Sequence, residues 1–301
     1  MKVAITGGTG FVGSHLVEVF DAHGIDVVAT GRRVEEGMRD GISWRRADLS
    51  DPDSLRRAFE GCDAVVANAA LSPGRAAADD QAFVDANERG SVAQLEAASD
   101  VGIDRVVYIS TVAVYKTRLF RRLAEDADRI DPDGRGFDWN RFTTDPRYAI
   151  SKARAERSVW TTASERGLRV TALRPGPIYG ERDSKLSTRY GQWMQRRITL
   201  SPTLRLPHVH GADVALAALG ALEHPASAGR AYNLGGSSER IHDILRIWAR
   251  HVDRPARLVP VPVPLSVGFD DRAAQRELGF RPRPIEEGVA TTARWFADQA
   301  P

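Results

Sequence analysis

The chain begins Lys2-Val3-Ala4-Ile5-Thr6-Gly7-Gly8-Thr9-Gly10-Phe11-Val12-Gly13, and few segments constrain a fold so tightly. Val3 to Ile5 is a short apolar run with the character of a buried strand. Glycines follow at 7, 8, 10 and 13, and from Phe11 to Phe20 the apolar residues Val12, Leu16, Val19 and Phe20 recur at helical spacing. Strand, glycine turn and helix make the first half of a βαβ unit that binds a dinucleotide. One glycine permits a tight turn, one lets the backbone approach a pyrophosphate, and one lets the helix pack closely on its strand. The helix N-terminus then offers free N–H groups and a partial positive charge to the phosphates.

The alternation continues downstream. Val27–Thr30, Ala64–Ala67, Arg105–Ser110 and Val170–Leu173 read as strands, the last stopped by Pro175. Pro52–Phe59 reads as a helix capped by Asp51, and Gln81–Asp100 has helical periodicity through Phe83, Leu95 and Ala98. Tyr148–Arg166 is a long helix ended by Gly167. This rhythm predicts an α/β fold, a Rossmann-type doubly wound parallel sheet with helices on both faces. The rhythm breaks twice. Lys116–Arg147 is a long connection poor in apolar residues, a kind of segment that is usually functional. After Pro175 come short helices around Arg189–Arg196, Asp213–Glu223 and Ile241–His251, with Ala231–Leu234 returning as a late strand. The expected division is a dinucleotide-binding domain over 1–175, with returning segments near 207–235, and a smaller C-terminal substrate-binding lobe over most of 176–301, above the C-terminal edge of the sheet.

Composition narrows the class. The chain has 301 residues, 42% hydrophobic and 27% charged, ordinary values for a soluble globular protein. A net charge of +2 gives no argument for nucleic acid or a membrane surface, so the expected partner is a small-molecule substrate. The single cysteine, Cys62, rules out an internal disulfide and speaks against a zinc cluster, and no metal site is expected. Cys62 precedes an apolar strand and is expected to be buried and inert. No apolar stretch is long enough to span a bilayer, and the N-terminus runs straight into the first strand, which suits a cytoplasmic protein.

Tyr148 and Lys152 place a phenol and an ammonium four residues apart, on one face of a helix. A free tyrosine titrates near ~10, too high for acid–base work at neutral pH. A cation at ~4 Å in an effective dielectric of ~20 contributes roughly 4 kcal/mol, about three pKa units, which predicts a phenol near 7. Val106-Val107-Tyr108-Ile109-Ser110-Thr111 ends a strand in hydroxyl residues that face the ligand side of the sheet.

Taken together, these motifs resemble the extended short-chain dehydrogenase/reductase family, the NAD(P)-dependent epimerase/dehydratase group. Thr6 to Gly13 resembles its cofactor loop, which places Gly7, Thr9, Gly10, Phe11, Val12 and Gly13 against the dinucleotide. Asp48-Leu49 resembles the pair beside the adenine, and Asn68-Ala69-Ala70 the segment after the fourth strand. Asn87 stands where the family has a structural helix asparagine. Ser110 to Tyr115 resembles the catalytic strand end, with Thr111 in its Ser/Thr position, and Tyr148 and Lys152 match the catalytic pair. Arg174 to Gly180, with Pro175 and Ile178, resembles the segment that closes over the nicotinamide. Val209 to Ala215, Tyr232 to Gly236 and Leu278 to Phe280 follow in family order. The resemblance implies that Tyr148 exchanges a proton with the substrate oxygen, that Lys152 binds the nicotinamide ribose and lowers the tyrosine pKa, and that Thr111 hydrogen-bonds the reacting oxygen. It also suggests a homodimer through packed helices, although the sequence itself does not set the oligomeric state.

The adenosine end has local signals of its own. An acid at the end of the second strand holds the ribose of NAD. This strand ends Val28-Ala29-Thr30-Gly31-Arg32-Arg33, with glycine in the acid's place. Arg32 and Arg33 suit a 2′-phosphate, so NADPH is expected to be preferred over NADH, with NAD left open. Pro177 stands where sugar-nucleotide enzymes of the family usually carry asparagine, and Val259 to Leu265 replaces their arginine-containing segment. The expected activity is an NADP-dependent ketone or aldehyde reductase, or secondary-alcohol dehydrogenase. An NDP-sugar epimerase is the alternative, a dehydratase is disfavoured by Val112 after Thr111, and a nonenzymatic NADP-sensing regulator is disfavoured by the intact Thr111, Tyr148 and Lys152. Arginines at 118, 121, 122, 129, 135, 141 and 147, and at 189, 196, 197 and 205, fall near the expected substrate mouth. Glu125, Asp126, Asp128, Asp131 and Asp133 are interleaved with the first set, so a self-paired surface is the expectation there, ahead of recognition of an anionic substrate. His210 is expected to be structural, at the junction of the two lobes.

Overall fold

The apolar run at the N-terminus becomes a central strand. In the computed structural model, which describes residues 1–72, 80–116, 118–133, 145–253 and 255–299, β1 (Lys2–Ile5) is followed by α1 (Phe11–Ala22), β2 (Asp26–Gly31), β3 (Gly37–Arg39), β4 (Ile42–Arg46), α2 (Pro52–Phe59) and β5 (Ala64–Ala67). Next come α3 (Asp80–Phe83), a π turn over Val84–Arg89, α4 (Gly90–Asp100) and β6 (Arg105–Ile109). Strands Arg169–Pro175 and Ala231–Leu234 complete an eight-stranded sheet in the order Ala231–Leu234, Arg169–Pro175, β6, β5, β1, β2, β4, β3. Every pairing in it is parallel except β3 with β4. Chain order runs outward from β1 in both directions, so the C-terminal ends of β1 and β5 flank a topological switch point, where open α/β sheets bind ligands.

Two cores sandwich the sheet. On one face α1 and the Gly211–Glu223 helix bury Leu16, Phe20, Val214 and Leu222 against Val3, Ile5 and Val27. On the other, α2, α4 and the Pro146–Arg166 helix bury Leu55, Phe59, Leu95 and Val159 against Ala4, Val28 and Val65. A third core gathers Tyr190, Met194, Leu245, Trp248 and Val289 from helices Leu186–Met194, Ile241–Ala249 and Ile285–Asp298. Three small sheets accompany these elements: Ile198–Pro202 with Arg257–Val261, Ser237–Arg240 with Arg205–His210 and Ile178–Tyr179, and Gly268–Phe269 with Arg122–Leu123. No described helix is long and apolar enough to cross a membrane.

The strands and helices expected in the first half are present, with boundaries moved by a residue or two. Asp51 caps α2 by accepting from Ser54 N at 3.1 Å. Gln81–Asp100 is a continuous helical segment interrupted by the π turn. The hairpin of β3 and β4 is additional. Ser43-Trp44-Arg45-Arg46 is only half-buried toward the sheet's outer edge, so it needs no apolar run and shows none. The Ile285–Asp298 helix is also additional, its buried face built from the small residues Gly288, Thr292 and Ala293 beside Val289. The long connection is described over Lys116, 118–133 and 145–147, and Arg129 bridges Tyr115; Arg135 and Arg141 lie outside the described residues.

The glycine loop has the geometry its sequence demands. Gly7 has φ +66°, a left-handed conformation that favours glycine. At Gly13 a Cβ would lie 1.9 Å from Gly7 O and 2.9 Å from Gly8 Cα, so α1 rests directly on the loop backbone. Gly13→Ala forces the two apart. We expect a loss of about 1–3 kcal/mol, the usual cost of overpacking, and weaker dinucleotide binding. Urea denaturation and cofactor titration of the variant check both.

Candidate active site

Two loops meet at the switch point through Thr6. Its hydroxyl accepts the backbone N–H groups of Asn68 and Ala69, each at 2.9 Å, and donates to Gln94 Oε1 at 2.5 Å. Asn68 Nδ2 donates to Thr6 O at 3.1 Å, and a Cβ on Gly7 would come within 3.2 Å of Ala69 Cα. The structure thus brings Thr6 and Gly7 together with Asn68 and Ala69. Gly10 caps α1 without a side-chain hydrogen bond, and no acid lies in the first turn, so the N–H groups of Phe11, Val12 and Gly13 suit phosphate oxygens. These features fit a dinucleotide.

The adenosine end forms around the end of β2. A Cβ on Gly31 would meet Val34 Cγ1 at 2.9 Å and Thr9 Oγ1 at 3.3 Å, so Thr9 and Val34 fill the space an acidic side chain would enter. Arg32 and Arg33 are exposed, and neither forms a salt bridge among the described residues. Asp48 accepts from Ser50 N at 2.9 Å and Ser50 Oγ at 2.8 Å. Those bonds, with nearby Arg32 and Arg46, hold its carboxyl below the usual range despite partial burial. Leu49 packs on the start of α4, 2.8 Å from where a Cβ on Gly90 would stand. At the other end, buried Pro175 lies beside Leu234 in the sheet, and Ile178 pairs with Val209.

Thr111 follows β6 in extended backbone, its Oγ1 accepting from Ala113 N at 3.2 Å, and it hydrogen-bonds Tyr148. Tyr148 stands in the first turn of the Pro146–Arg166 helix, which Asp145 caps by accepting from Arg147 N at 3.0 Å. Burial pushes the Tyr148 phenol up to about 12, against the Thr111 hydrogen bond. The expectation of a phenol brought near 7 by Lys152 is therefore corrected. The Lys152 ammonium turns to β6, donating to Tyr108 Oη at 2.8 Å and Ile109 O at 2.9 Å. Burial lowers its pKa to about 7 while Glu156 opposes the shift. Helical spacing brings a Coulomb attraction between the two groups, but desolvation favours the neutral form of both and outweighs it.

A buried charge network went unread in the sequence. Glu156, one turn beyond Lys152, accepts from Arg174 Nε at 3.0 Å, from Arg174 Nη2 and from Ser110 Oγ at 2.5 Å. Arg174 also donates to Glu125 O at 3.0 Å and pairs with the Tyr115 hydroxyl, which donates to Asn233 Oδ1 at 2.7 Å. Arg174 thus serves the wall behind the site. The signal available was Glu156 at the same four-residue spacing that links Tyr148 and Lys152.

Several arginines near the mouth are paired. Arg118 bonds Asp128, Arg122 reaches Asp271, Arg129 reaches Glu156, Arg147 bonds Asp145 and Arg205 reaches Glu239. His210 caps the Gly211–Glu223 helix, accepting from Ala212 N at 3.2 Å, and its Nε2 lies 3.2 Å from Glu181 Oε2, a structural position. Cys62 is buried, and burial raises its thiol pKa. No group of His, Cys, Asp and Glu among the described residues is arranged to hold a metal ion.

A model of the NAD dependent epimerase/dehydratase family matches residues 3–235. The dTDP-4-dehydro-6-deoxy-D-allose reductase of Streptomyces bikiniensis is 25% identical over an alignment covering 98% of this chain and 95% of that protein. The 2-alkyl-3-oxoalkanoate reductase of Stenotrophomonas maltophilia is 33% identical, covering 64% of this chain and 55% of that protein. The solved UDP-glucuronic acid 4-epimerase from Bacillus cereus, in complex with NAD, has a TM-score of 0.81 at 20% identity, covering 100% of this chain and 97% of that one, a likeness of fold.

The Glu156 carboxyl makes a pH prediction. Burial opposes its ionisation, but Arg174 and Ser110 outweigh that and hold its pKa below 4.5 in the folded protein. Its stabilisation is present above 4.5, the unfolded value, and fades as pH falls through the lower folded one. Glu156→Gln should cost about 3–5 kcal/mol at neutral pH, because it leaves Arg174 buried without its partner. Urea titrations should show the gap between variant and wild type narrowing in acid; an equal gap at both pH values rules out the ion pair as its source.

Proposed function

Since the chain belongs to the NAD dependent epimerase/dehydratase family, whose members are NAD(P)-dependent enzymes, we propose that it is an NADP-dependent oxidoreductase. It reduces a ketone or aldehyde, or oxidises the matching secondary alcohol, at Thr111, Tyr148 and Lys152. The observation that carries the cofactor preference is the end of β2. Thr9 and Val34 close the space an acid would use at Gly31, and Arg32 and Arg33 stand exposed without salt bridges among the described residues. A 2′-phosphate is the group that two such guanidinium forks recognise. The names of the two reductase relatives support net reduction.

The dinucleotide, when bound, supplies or accepts the hydride. Gly7, Gly10 and the first turn of α1 would take its pyrophosphate, with Asn68 to Ala70 on the opposite wall. Asp48 and Leu49 would flank the adenine, and Pro175 and Ile178 would cover the nicotinamide side. In reduction, Tyr148 gives its proton to the carbonyl oxygen, which becomes the alcohol hydroxyl as the carbon gains hydride. A phenol held at about 12 keeps its proton at neutral pH and so enters as an acid. Thr111 hydrogen-bonds the same oxygen, and Lys152 binds the nicotinamide ribose. An NDP-sugar epimerase is the second reading, carried by membership of the same family.

Isothermal titration should give a Kd for NADPH at least tenfold below that for NADH. Arg32→Ala and Arg33→Ala should each weaken NADPH by about tenfold or more, from charge-assisted bonds worth ~1.5–3 kcal/mol, and leave NADH unchanged. Equal Kd values, unchanged in Arg32→Ala, refute the preference, and NAD retained through purification supports the epimerase. Tyr148→Phe should lower kcat by about 10²–10⁴-fold with NADPH binding intact, as expected for a lost general acid.

A further inference from the structure

Lys152 is 2% exposed, and its ammonium has three protons to place. Ile109 O takes one at 2.9 Å and Tyr108 Oη another at 2.8 Å. Tyr108 lies on β6, three residues before Thr111, and is 1% exposed. Its ring also faces the ammonium, with Nζ 4.5 Å from the centroid. The Tyr108 hydroxyl is itself held. It lies 3.5 Å from Ser91 Oγ, and Ser91 donates to Asn87 O at 2.5 Å. Since the Ser91 proton goes to Asn87 and a Lys152 proton comes to Tyr108, the tyrosine faces the lysine as an acceptor. Asn87 belongs to the π turn, and its side chain donates to Ser151 Oγ at 2.9 Å and Leu71 O at 3.0 Å. The wall behind Lys152 is therefore braced from α4, the π turn and the active-site helix itself.

We propose that Tyr108 is a positioning residue for the reaction: its buried hydroxyl and ring hold the Lys152 ammonium against β6, so that its third N–H remains for the nicotinamide ribose. The proposal rests on the oxidoreductase reading for the identity of that ribose. Ile109 O supplies the same service from the backbone, which leaves Tyr108 as the side-chain half of the clamp. The other ionisable groups around Lys152 are accounted for. Glu156 lies one turn along the helix and is itself engaged by Arg174 and Arg129, and Tyr148 lies one turn back and is protonated. Burial drives Lys152 toward the free amine, to a pKa of about 7 even with Glu156 opposing the shift, so an acceptor that stabilises the ammonium bears directly on whether it is charged at neutral pH.

The sequence offers a direct readout, because the chain has four lysines: Lys2, Lys116, Lys152 and Lys185. Side-chain ¹³Cε–¹⁵Nζ spectra of labelled, cofactor-free protein therefore hold four signals, and Lys152→Arg identifies the one that matters. Tyr108→Phe keeps the ring and removes the acceptor. We expect the Lys152 midpoint to fall by about one pH unit, tenfold in its proton affinity. The basic limb of the kcat/KM profile should move down with it, and the NADPH Kd should rise severalfold at pH 8 more than at pH 6. If Tyr108→Phe does not accumulate folded, 3-fluorotyrosine placed at 108 keeps the hydroxyl as a weaker acceptor and should give a smaller shift of the same sign. An unchanged Lys152 titration and an unchanged pH profile, with only a lower Tm, overturn the proposal and leave Tyr108 as core packing. The titration is read without cofactor or substrate, so it stands or falls independently of whether the enzyme prefers NADPH.

Discussion

A buried cation and a buried anion one helical turn apart, Lys152 and Glu156, set the terms for everything at the reactive end of this protein. Taking an ion out of water costs several kcal/mol even after relaxation, so each must be answered by groups that arrive from elsewhere. Lys152 is answered by Tyr108 and Ile109 of β6. Glu156 is answered by Ser110 after β6 and by Arg174 of the neighbouring strand. Arg174 in turn needs Tyr115 and the Glu125 carbonyl, and Tyr115 needs Asn233 from the last strand of the sheet. Each requirement recruits a different element. The helix that carries Tyr148 is thereby tied to three strands and to the long connection through polar groups whose geometry is strict.

The two ends of the dinucleotide site follow opposite electrostatic rules. At the nicotinamide end Lys152, Glu156 and Arg174 are buried and compensated by the protein. At the adenosine end Arg32 and Arg33 are exposed, where water solvates them and no internal partner is required. An exposed, uncommitted guanidinium loses little when a phosphate arrives, and it gains two parallel hydrogen bonds. A buried, committed one such as Arg174 could bind an external anion only by abandoning Glu156. Local burial thus separates the arginines that hold the fold from those suited to a ligand, which sequence position alone does not do.

That distinction explains what was legible in the chain. Strands β1, β5 and β6 are short apolar runs because both faces are covered, and α2 carries its cap and proline in sequence, so these could be read directly. The glycine loop was legible because each glycine answers a steric demand within a few residues. The β3–β4 hairpin was not, since a half-exposed edge tolerates Ser43 and Arg45 and so leaves no periodic trace. The parallel pairing of Ile198–Pro202 with Arg257–Val261 joins segments more than fifty residues apart, and no local pattern encodes it. At the site, Thr111, Tyr148 and Lys152 were legible as residue types, but the partners of Lys152 were not. A lysine has the reach to turn either to its own helix or to the adjacent strand, and the choice was made by Tyr108, a residue that read as one more apolar strand position.

The corrected phenol pKa does not remove Lys152 from the chemistry; it changes when the lysine acts. Separately, burial favours the neutral phenol and the neutral amine, raising the one pKa and lowering the other. Once Tyr148 gives up its proton, the phenolate lies one turn from an amine that titrates close to neutrality. Each charged form then stabilises the other in a setting of low dielectric, where the attraction is stronger than on a solvated surface. A phenol that is reluctant to ionise by itself and an ammonium held in place beforehand together give a site whose negative charge appears only as the proton moves. That is the arrangement expected of preorganised stabilisation, and it depends on the clamp behind Lys152 being set before substrate arrives.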